Sequence, residues 1–397
     1  MANEAWQDIT HTGPDTLAGR FLRTFWQPVY RSADLPAGRA MPITIMSEAL
    51  TLYRGESGQV HLVDSACAHR GTQLSVGWVE GDNVRCRYHG WMYDGVGQCV
   101  EQPLEDRPFC ERIRIRSFPV QEYLGLIFTY LGEGEAPAIK RFPDAERPGY
   151  LEAGPPEYWP ANFMTRIDND SRHVVFTHRE SFGRTDRPMQ VIPYRLQAEE
   201  TEYGVRTFGP KIPGESQVFI FFHMPNINQV RSTRIEGSRE DARSLAADRF
   251  FWRVPVDDEN CVNFVVDYIP LRPEEAEAYR ARRQAAGEAS PAELNAIGES
   301  VLAGKLRIED LPRDMSIYKT FWIEDYVTQV GQQPKPGHER PEHLGVTDVG
   351  VFLKRKIWER ELKALAEGQP LKQWHTPAGL ADMQDPTHPV EAARASS

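Results

Sequence analysis

Two short segments, each pairing a cysteine with a histidine, constrain this chain more than any other feature. One residue separates Cys67 from His69, two separate Cys86 from His89, and 16 residues lie between the segments. A zinc finger groups its cysteines before its histidines, whereas mixed pairs suit a two-iron cluster with two thiolates on one iron and two imidazoles on the other. A glycine follows each histidine within two residues and lets the backbone pass close to a cluster. We therefore predict two loops that hold a [2Fe–2S] cluster; unrelated buried residues and a zinc knuckle are the alternatives.

Composition limits the class of partner and the cellular compartment expected for such a protein. Five cysteines in 397 residues are too few for a disulfide scaffold, so those that pair with histidines are interpreted as metal ligands. Cys99, Cys110 and Cys261 lack such neighbours and are expected to be small buried hydrophobic residues. A net charge of −11 argues against a nucleic-acid partner. We expect no membrane span and no secretory signal, and hence a cytoplasmic location.

The chain changes character after its first third. Residues 18–131 are predicted to be strands and turns, with strands at 40–46, 50–53, 60–63 and 124–131. Glycine and proline concentrate between residues 132 and 160, where we expect a domain boundary. Beyond it, residues 161–179 can be helical, strands are predicted at 196–200, 218–223 and 261–269, and helices at 273–286 and 348–367. The fold class is therefore α+β.

A second candidate metal site follows the boundary. His173 and His178 could supply the imidazoles of a facial triad of two histidines and one carboxylate, which holds Fe(II) and leaves positions open for O2 and substrate. On an ideal helix the two rings would lie about 140° apart, so the helix must break or widen between them. Asp170 would share a helix face with His173. Without the cluster motif, an ordinary pair of core or surface histidines would be the better interpretation.

The Cys/His segments and the second candidate metal site both resemble motifs of one known family. The stretches CAHRG at 67–71 and CRYHGWMYD at 86–94 closely resemble the Rieske motif of ring-hydroxylating oxygenases, and Asp170, His173 and His178 match that family's iron-site pattern. Asp168 and Asn169 abut Asp170, whereas the family usually places two residues between such a pair and this aspartate. Respiratory Rieske proteins differ by an extra cysteine in each loop and by a hydroxyl residue after His-Gly. Here Thr72, Tyr88 and Trp91 occupy those positions, so we expect fewer hydrogen bonds to sulfur and a lower reduction potential.

The C-terminal part resembles the branch of phthalate oxygenases and dehydrodivanillate demethylases. The stretch FWIEDYVTQ at 321–329 maps that branch's iron-binding aspartate onto Asp325, with Glu324 as the rival. The resemblance implies that Asp170, with Asn169 beside it, has a catalytic role in which a carboxylate bridges a cluster histidine of one subunit to an iron histidine of the next. Its alternative role is that of a helix-start aspartate favoured by the helix dipole.

The resemblance also implies an architecture and an activity. We expect an all-β Rieske [2Fe–2S] domain over residues 1–140 and a catalytic Fe(II) domain over residues 141–397, the latter a helix-grip antiparallel sheet. The protein would be the terminal oxygenase component. It would form a homotrimer supplied with NAD(P)H electrons by a separate reductase, directly or through a ferredoxin.

The activity expected from this resemblance is the hydroxylation or O-demethylation of an aromatic compound, most simply an aromatic acid, with O2 as the second substrate. Two other classes stay open at this point: an electron-transfer Rieske protein without oxygenase activity, and a zinc-stabilised binding module. Iron and labile sulfide separate the three, because they predict different metal contents. Aromatic acids usually meet an arginine fork, and the candidates in the second half, each more simply a solvated surface residue, are Arg184, Arg206, Arg231 and Arg234.

Overall fold

In the computed structural model of the chain, the described residues are 9–169, 176–183, 196–209, 219–236, 243–286, 290–332 and 341–380. The chain forms two compact units. The N-terminal unit comprises His11–Ile139 and Val254–Asp258, and the C-terminal unit comprises Met1–Thr10, Lys140–Arg253 and Glu259–Ser397. The domain boundary expected after residue 140 stays a prediction; the chain passes from one unit to the other one residue earlier.

The N-terminal unit is built from three small antiparallel sheets. Their strand orders are β1-β11-β10, β2-β3-β4-β9 and β5-β6-β7-β8. The strands are β1 Gln27–Arg31, β2 Arg39–Ile45, β3 Glu48–Arg54, β4 Val60–Asp64, β5 Trp78–Glu80, β6 Asn83–Arg85, β7 Met92–Tyr93, β8 Cys99–Glu101, β9 Ser117–Phe118, β10 Val120–Tyr123 and β11 Leu126–Thr129. The first three predicted strands are confirmed. The fourth is shorter than predicted, because Leu124 and Gly125 have positive φ and form the turn before β11.

A helix at the start of this unit was not predicted. Helix α1 spans Leu17–Arg23, where the sequence suggested strands and turns. Thr16 caps it, since its side-chain oxygen accepts a hydrogen bond from the Gly19 N–H. Phe21 and Leu22 are fully buried in the core. The short polar segment before the helix contains the capping signal, but seven residues give too little periodicity to reveal it.

The C-terminal unit contains one eight-stranded sheet. Its order is β12-β19-β18-β17-β16-β15-β14, and β13 also pairs with β19. The strands are β12 Tyr150–Ala153, β13 Glu157–Trp159, β14 Gln197–Glu200, β15 Gly204–Phe208, β16 Phe219–His223, β17 Ile227–Glu236, β18 Arg243–Pro255 and β19 Cys261–Ile269. The predicted strand at 261–269 is confirmed as β19, and all of its residues are buried, including the polar Asn263 and Asp267. The expected α+β class, an all-β N-terminal part followed by an antiparallel sheet with helices, is confirmed.

Six helices accompany this sheet among the described residues. They are α2 Phe163–Asp168, α3 Arg179–Gly183, α4 Pro273–Ala286, α5 Pro291–Leu302, α6 Ile317–Val330 and α7 Val349–Ala366. Helices α4 and α7 are confirmed predictions, and α7 packs against β14 and β15. Helices α5 and α6 were not predicted, although Ser290 and Glu293 form a capping box at the start of α5. No helix in the described part of the chain is long and apolar enough to cross a membrane.

The predicted helix over residues 161–179 is wrong in its length. Helix α2 ends at Asp168, and Asn169 has φ −78° and ψ 66°, outside the helical region. Residues 176–178 form a turn before α3 begins at Arg179. Two cations of α7 terminate α2: Lys354 Nζ donates to the Ile167 carbonyl at 2.5 Å, and Arg355 pairs with Asp168. These contacts come from a distant part of the sequence, so local helix propensity could not reveal the end.

Candidate metal centres

The two Cys/His segments of the N-terminal unit form loops with matching backbone hydrogen bonds. The Cys67 N–H donates to the Thr72 carbonyl at 2.9 Å, and the Cys86 N–H donates to the Trp91 carbonyl at 2.8 Å. In the other direction, Gly71 and Gly90 each donate to the carbonyl of the cysteine four residues earlier. Both glycines have positive φ, 77° and 76°, as a close backbone approach predicts. The loops therefore present their cysteines and histidines in a similar way despite their different spacing.

The four predicted cluster ligands lie together. Cys67 and Cys86 are buried in the hydrophobic core of the unit, and their thiols interact electrostatically with each other. The rings of His69 and His89 have centroids 4.5 Å apart. The Trp91 ring stacks on His69 at 4.6 Å and 10°, which fixes the plane of that imidazole. Two adjoining thiols and two adjoining imidazoles form the donor set that a mixed-ligand two-iron cluster requires.

The protonation of these groups also suits metal binding. His69 Nδ1 is buried and has no hydrogen-bond partner among the described residues, so it is available as a ligand atom. Desolvation, with His69 and Arg70 nearby, lowers the pKa of His89 and favours the neutral ring that metals bind. Burial raises the pKa of the Cys67 thiol, and a bound metal would offset that cost by stabilising the thiolate.

Tyr93 is a residue of this centre that sequence reasoning missed. Its side chain is fully buried, and its hydroxyl lies 3.2 Å from Cys67 Sγ. The Ala68 N–H donates to the same hydroxyl oxygen at 3.1 Å. A metal-bound thiolate carries no proton, so with a cluster in place the O–H would be the donor to the sulfur. The sequence signal was a tyrosine shortly after the second loop, since a tyrosine that becomes buried there needs a hydrogen-bond partner for its hydroxyl. Tyr93 thus provides a polar contact to a ligand sulfur that the sequence did not predict.

In the C-terminal unit, His178 and Asp325 come together from distant parts of the sequence. His178 is 6% exposed, and its Nε2 lies 3.5 Å from Asp325 Oδ1. The same carboxylate oxygen accepts hydrogen bonds from Asn169 Nδ2 at 3.3 Å and from Gln329 Nε2 at 3.0 Å. These amides orient Asp325 toward the imidazole. Asp170 and His173, the other predicted residues of this site, lie outside the described residues.

Glu324, the rival carboxylate, contacts the opposite side of the same imidazole. Its Oε2 lies 3.3 Å from His178 Nδ1 and also accepts a hydrogen bond from the Ser181 hydroxyl. Its Oε1 accepts from the backbone N–H groups of Glu180 and Ser181 at 2.9 and 3.2 Å. Glu324 is 1% exposed, and both of its oxygens have protein partners. A carboxylate that holds Nδ1 in this way fixes the ring so that Nε2 faces Asp325.

Comparisons with known proteins agree with this geometry. Residues 25–123 match the Rieske [2Fe-2S] domain family. The 5,5'-dehydrodivanillate O-demethylase oxygenase subunit of a Sphingobium species is 26% identical over 389 residues, covering 94% of this chain and 83% of that protein. The phenoxybenzoate dioxygenase subunit alpha of Ectopseudomonas oleovorans is also 26% identical, over 89% of this chain and 83% of its own length. This chain is a Rieske-type oxygenase subunit.

The fold agrees with the same assignment. NdmA of Pseudomonas putida CBB5, solved as a mutant with theobromine, superposes with a TM-score of 0.63 over 88% of the oxygenase and 93% of NdmA. Dicamba monooxygenase bound to dicamba superposes with a TM-score of 0.56 over 88% of the oxygenase and the whole of that chain. At 21% and 20% identity, these likenesses concern the fold. An oxygenase subunit of this family contains a [2Fe–2S] cluster, uses a mononuclear iron and receives electrons that originate from NAD(P)H.

Proposed function

We propose that this oxygenase subunit inserts oxygen from O2 into an aromatic acid, or removes an O-methyl group from one, at an iron held by His173, His178 and Asp325. The proposed cluster ligands are Cys67, His69, Cys86 and His89. The observation that carries the proposal is the contact between His178 and Asp325 in the C-terminal unit. A Rieske protein that only transferred electrons would have no need for a second buried histidine–carboxylate set.

The surroundings of His178 support a metal at its Nε2. Glu324 contacts Nδ1 at 3.3 Å, so a metal bound at Nε2 would leave the ring proton on Nδ1, where Glu324 accepts it. Nε2 lies on the side of the ring that faces Asp325. Asn169 and Gln329 donate to Asp325 Oδ1, which holds that carboxylate in place without neutralising its charge. Two neutral imidazoles and one carboxylate leave positions open on Fe(II), which supplies the site where O2 is activated.

The substrate class is proposed from the relatives. The two that align over most of the chain are named for dehydrodivanillate and phenoxybenzoate, both aromatic acids. The names also favour a separate electron donor, because both relatives are subunits of larger enzymes. A carbazole 1,9a-dioxygenase oxygenase with the same fold was solved in complex with a ferredoxin. We therefore propose a reductase or ferredoxin as the partner, and a homotrimer as the assembly in which Asp170 couples the two metal sites.

Oxygen consumption coupled to product formation tests the proposal. The holoenzyme, reduced through a reductase and supplied with 18O2, should convert an aromatic carboxylate to a product with labelled oxygen, or release formaldehyde from a methoxylated one. His178→Ala should abolish both while the absorption of the cluster persists, because His178 lies outside the cluster loops. Full turnover by His178→Ala would contradict the proposed function. The absence of substrate-dependent O2 uptake by a fully metallated wild type would contradict it as well.

A further inference from the structure

Arg253 is a buried cation without a counterion in the described part of the chain. It lies near the end of β18, and 5% of the residue is exposed. Neither Nε nor Nη1 has a hydrogen-bond partner among the described residues. An unpaired charge in a protein interior costs far more than an unpaired polar group, so proteins rarely retain one without use. Arg249, two pleat repeats earlier on the same strand, is the ordinary case, since it pairs with Asp267 at 2.7 Å.

The immediate neighbours increase this cost. Arg166 of α2 is a second buried cation close enough to repel Arg253 electrostatically; the buried carboxylate of Glu157 attracts Arg253 but forms no ion pair with it. The guanidinium of Arg166 stacks on Trp159 at 3.6 Å and donates to the Gln329 side chain. Both partners are neutral, so they bring no negative charge close to the two cations. Burial, with Arg166 nearby, lowers the pKa of Arg253 to about 9, which still leaves the side chain charged at neutral pH. The local field therefore favours an incoming anion.

The same face of the sheet offers polar and aromatic groups. Asn228 of β17 pairs with Phe251 of β18, so both side chains lie on one face, and Arg253 shares it because it follows Phe251 by two residues. Both amide atoms of Asn228 are buried without a partner in the described residues. Phe251 is partly exposed, and the Arg253 guanidinium lies over its ring at 4.6 Å. Asp325 acts on Arg253 electrostatically, which places this face within range of the proposed iron site.

We propose that Arg253 binds the carboxylate of the substrate, that Asn228 hydrogen-bonds the same ligand, and that this pair selects aromatic acids over neutral aromatics. The inference rests on the proposed function and adds the residue that recognises the acid. Two parallel N–H groups of a guanidinium match the two oxygens of a carboxylate. Glu157 accepts from Asn263, and Asp325 is held by Asn169 and Gln329. The ligand would therefore supply the acceptor that Arg253 lacks among the described residues.

Benzoate and benzamide, which differ in charge but hardly in shape, are the probes. Their affinities are measured by calorimetry on the metallated holoenzyme of wild type, Arg253→Met, Arg253→Lys and Arg249→Met. Wild type should prefer benzoate; Arg253→Met should bind benzoate about tenfold to a hundredfold more weakly and benzamide nearly unchanged. The benzoate affinity of Arg253→Lys should lie between those of wild type and Arg253→Met, because lysine keeps the charge and lacks the two parallel N–H groups of a guanidinium. Arg249→Met should keep the preference.

Thermal unfolding without ligand provides a second readout. Arg253→Met should melt at or above the wild-type temperature, because it removes a buried charge that has no ion pair among the described residues. Arg249→Met should melt lower, because it removes the ion pair between Arg249 and Asp267. A benzoate preference that survives in Arg253→Met, absent binding of benzoate to wild type, or a large drop in the melting temperature of Arg253→Met would each overturn the assignment. If benzoate does not bind while O2-dependent turnover of another aromatic persists, this inference fails and the proposed function stands. Lack of any O2-dependent turnover defeats the proposed function itself.

Discussion

Glu324 and Asp325 are consecutive residues with the same charge and different environments. Both oxygens of Glu324 have partners on the protein, including His178 Nδ1, whereas Asp325 faces His178 Nε2. Sequence similarity favoured Asp325 as the iron ligand and kept Glu324 as the rival. The contacts explain the difference in physical terms: the first carboxylate orients the imidazole and the second is positioned to share a metal with it.

Substitutions at these two positions should therefore have different effects. Asp325→Ala is expected to lose the mononuclear iron and keep the cluster. Glu324→Gln should keep a measurable iron site with about tenfold to a hundredfold weaker affinity, because only the orientation of His178 suffers. Iron titration of the apo-protein, with cluster absorbance as the internal reference, measures both. Iron retained in Asp325→Ala and lost in Glu324→Gln would reverse the roles.

Tyr93 allows a residue-scale test of the cluster. Its hydroxyl lies 3.2 Å from Cys67 Sγ and would donate to the thiolate of a bound cluster, and such a bond stabilises the more electron-rich, reduced state. Tyr93→Phe removes the donor without changing the shape of the ring. The reduction potential should fall by roughly tens of millivolts, the one-electron equivalent of a hydrogen bond to a charged group. Protein-film voltammetry measures the shift, and an unchanged or higher potential would show that the hydroxyl does not donate to the sulfur.

At the scale of elements, helix α7 determines where helix α2 ends. Lys354 and Arg355 are buried on α7 and contact Ile167 and Asp168, the last residues of α2 before Asn169. Arg355 also pairs with Glu342 at 2.5 Å. The position of Asn169, and through it that of Asp325, therefore depends on a helix nearly two hundred residues further along the chain.

Breaking this connection should cost stability. Arg355→Met leaves two largely buried carboxylates without their cation, and we expect a loss of about 3–5 kcal/mol in the free energy of unfolding. Lys363 on the same helix is the matched control, since its pair with Glu359 is solvent-exposed and Lys363→Met should cost less than about 1 kcal/mol. Urea denaturation followed by far-UV circular dichroism measures both. Equal losses in the two variants would mean that the Arg355 pairs contribute no more than a surface pair.

The elements differ in how far the sequence could predict them. Strand β19 and helices α4 and α7 have strong local patterns, a mostly apolar run rich in valine for the strand and charged or amphipathic stretches for the helices. Helix α6 is rich in aromatic and β-branched residues with low helix propensity, so its burial rather than its composition makes it helical. The helix predicted over 161–179 was too long, because tertiary contacts end α2 at a point where local helix propensity alone would continue it.

At the scale of the whole molecule, the two metal sites were predictable to different degrees. The cluster ligands lie within 23 residues of one another, so their spacing alone indicates the site. The contact between His178 and Asp325 depends on the fold of the C-terminal unit, and sequence alone offered only a resemblance. Arg253 was missed entirely, because nothing in a sequence distinguishes an unpaired arginine from a paired one such as Arg249.

Coupling between the two sites leads to a prediction about Asp170. If Asp170 bridges a cluster histidine of one subunit and an iron histidine of the next, Asp170→Asn should keep both metals and the oligomer. The neutral amide cannot stabilise a charged imidazole as a carboxylate does, so turnover and cluster reoxidation should both slow steeply. Stopped-flow absorbance of the reduced holoenzyme with substrate and O2 measures the rate. Normal reoxidation would remove the bridging role, and loss of the mononuclear iron would make Asp170 a ligand.

The metal content of the purified chain distinguishes an oxygenase from an electron-transfer protein. Two irons and two labile sulfides would belong to the cluster, and the site at His178 and Asp325 would add one further iron. We therefore predict three irons and two sulfides per fully loaded chain, with the third iron lost in Asp325→Ala. Two irons and two sulfides in the fully loaded wild type would instead indicate an electron-transfer protein, and zinc without sulfide would exclude both.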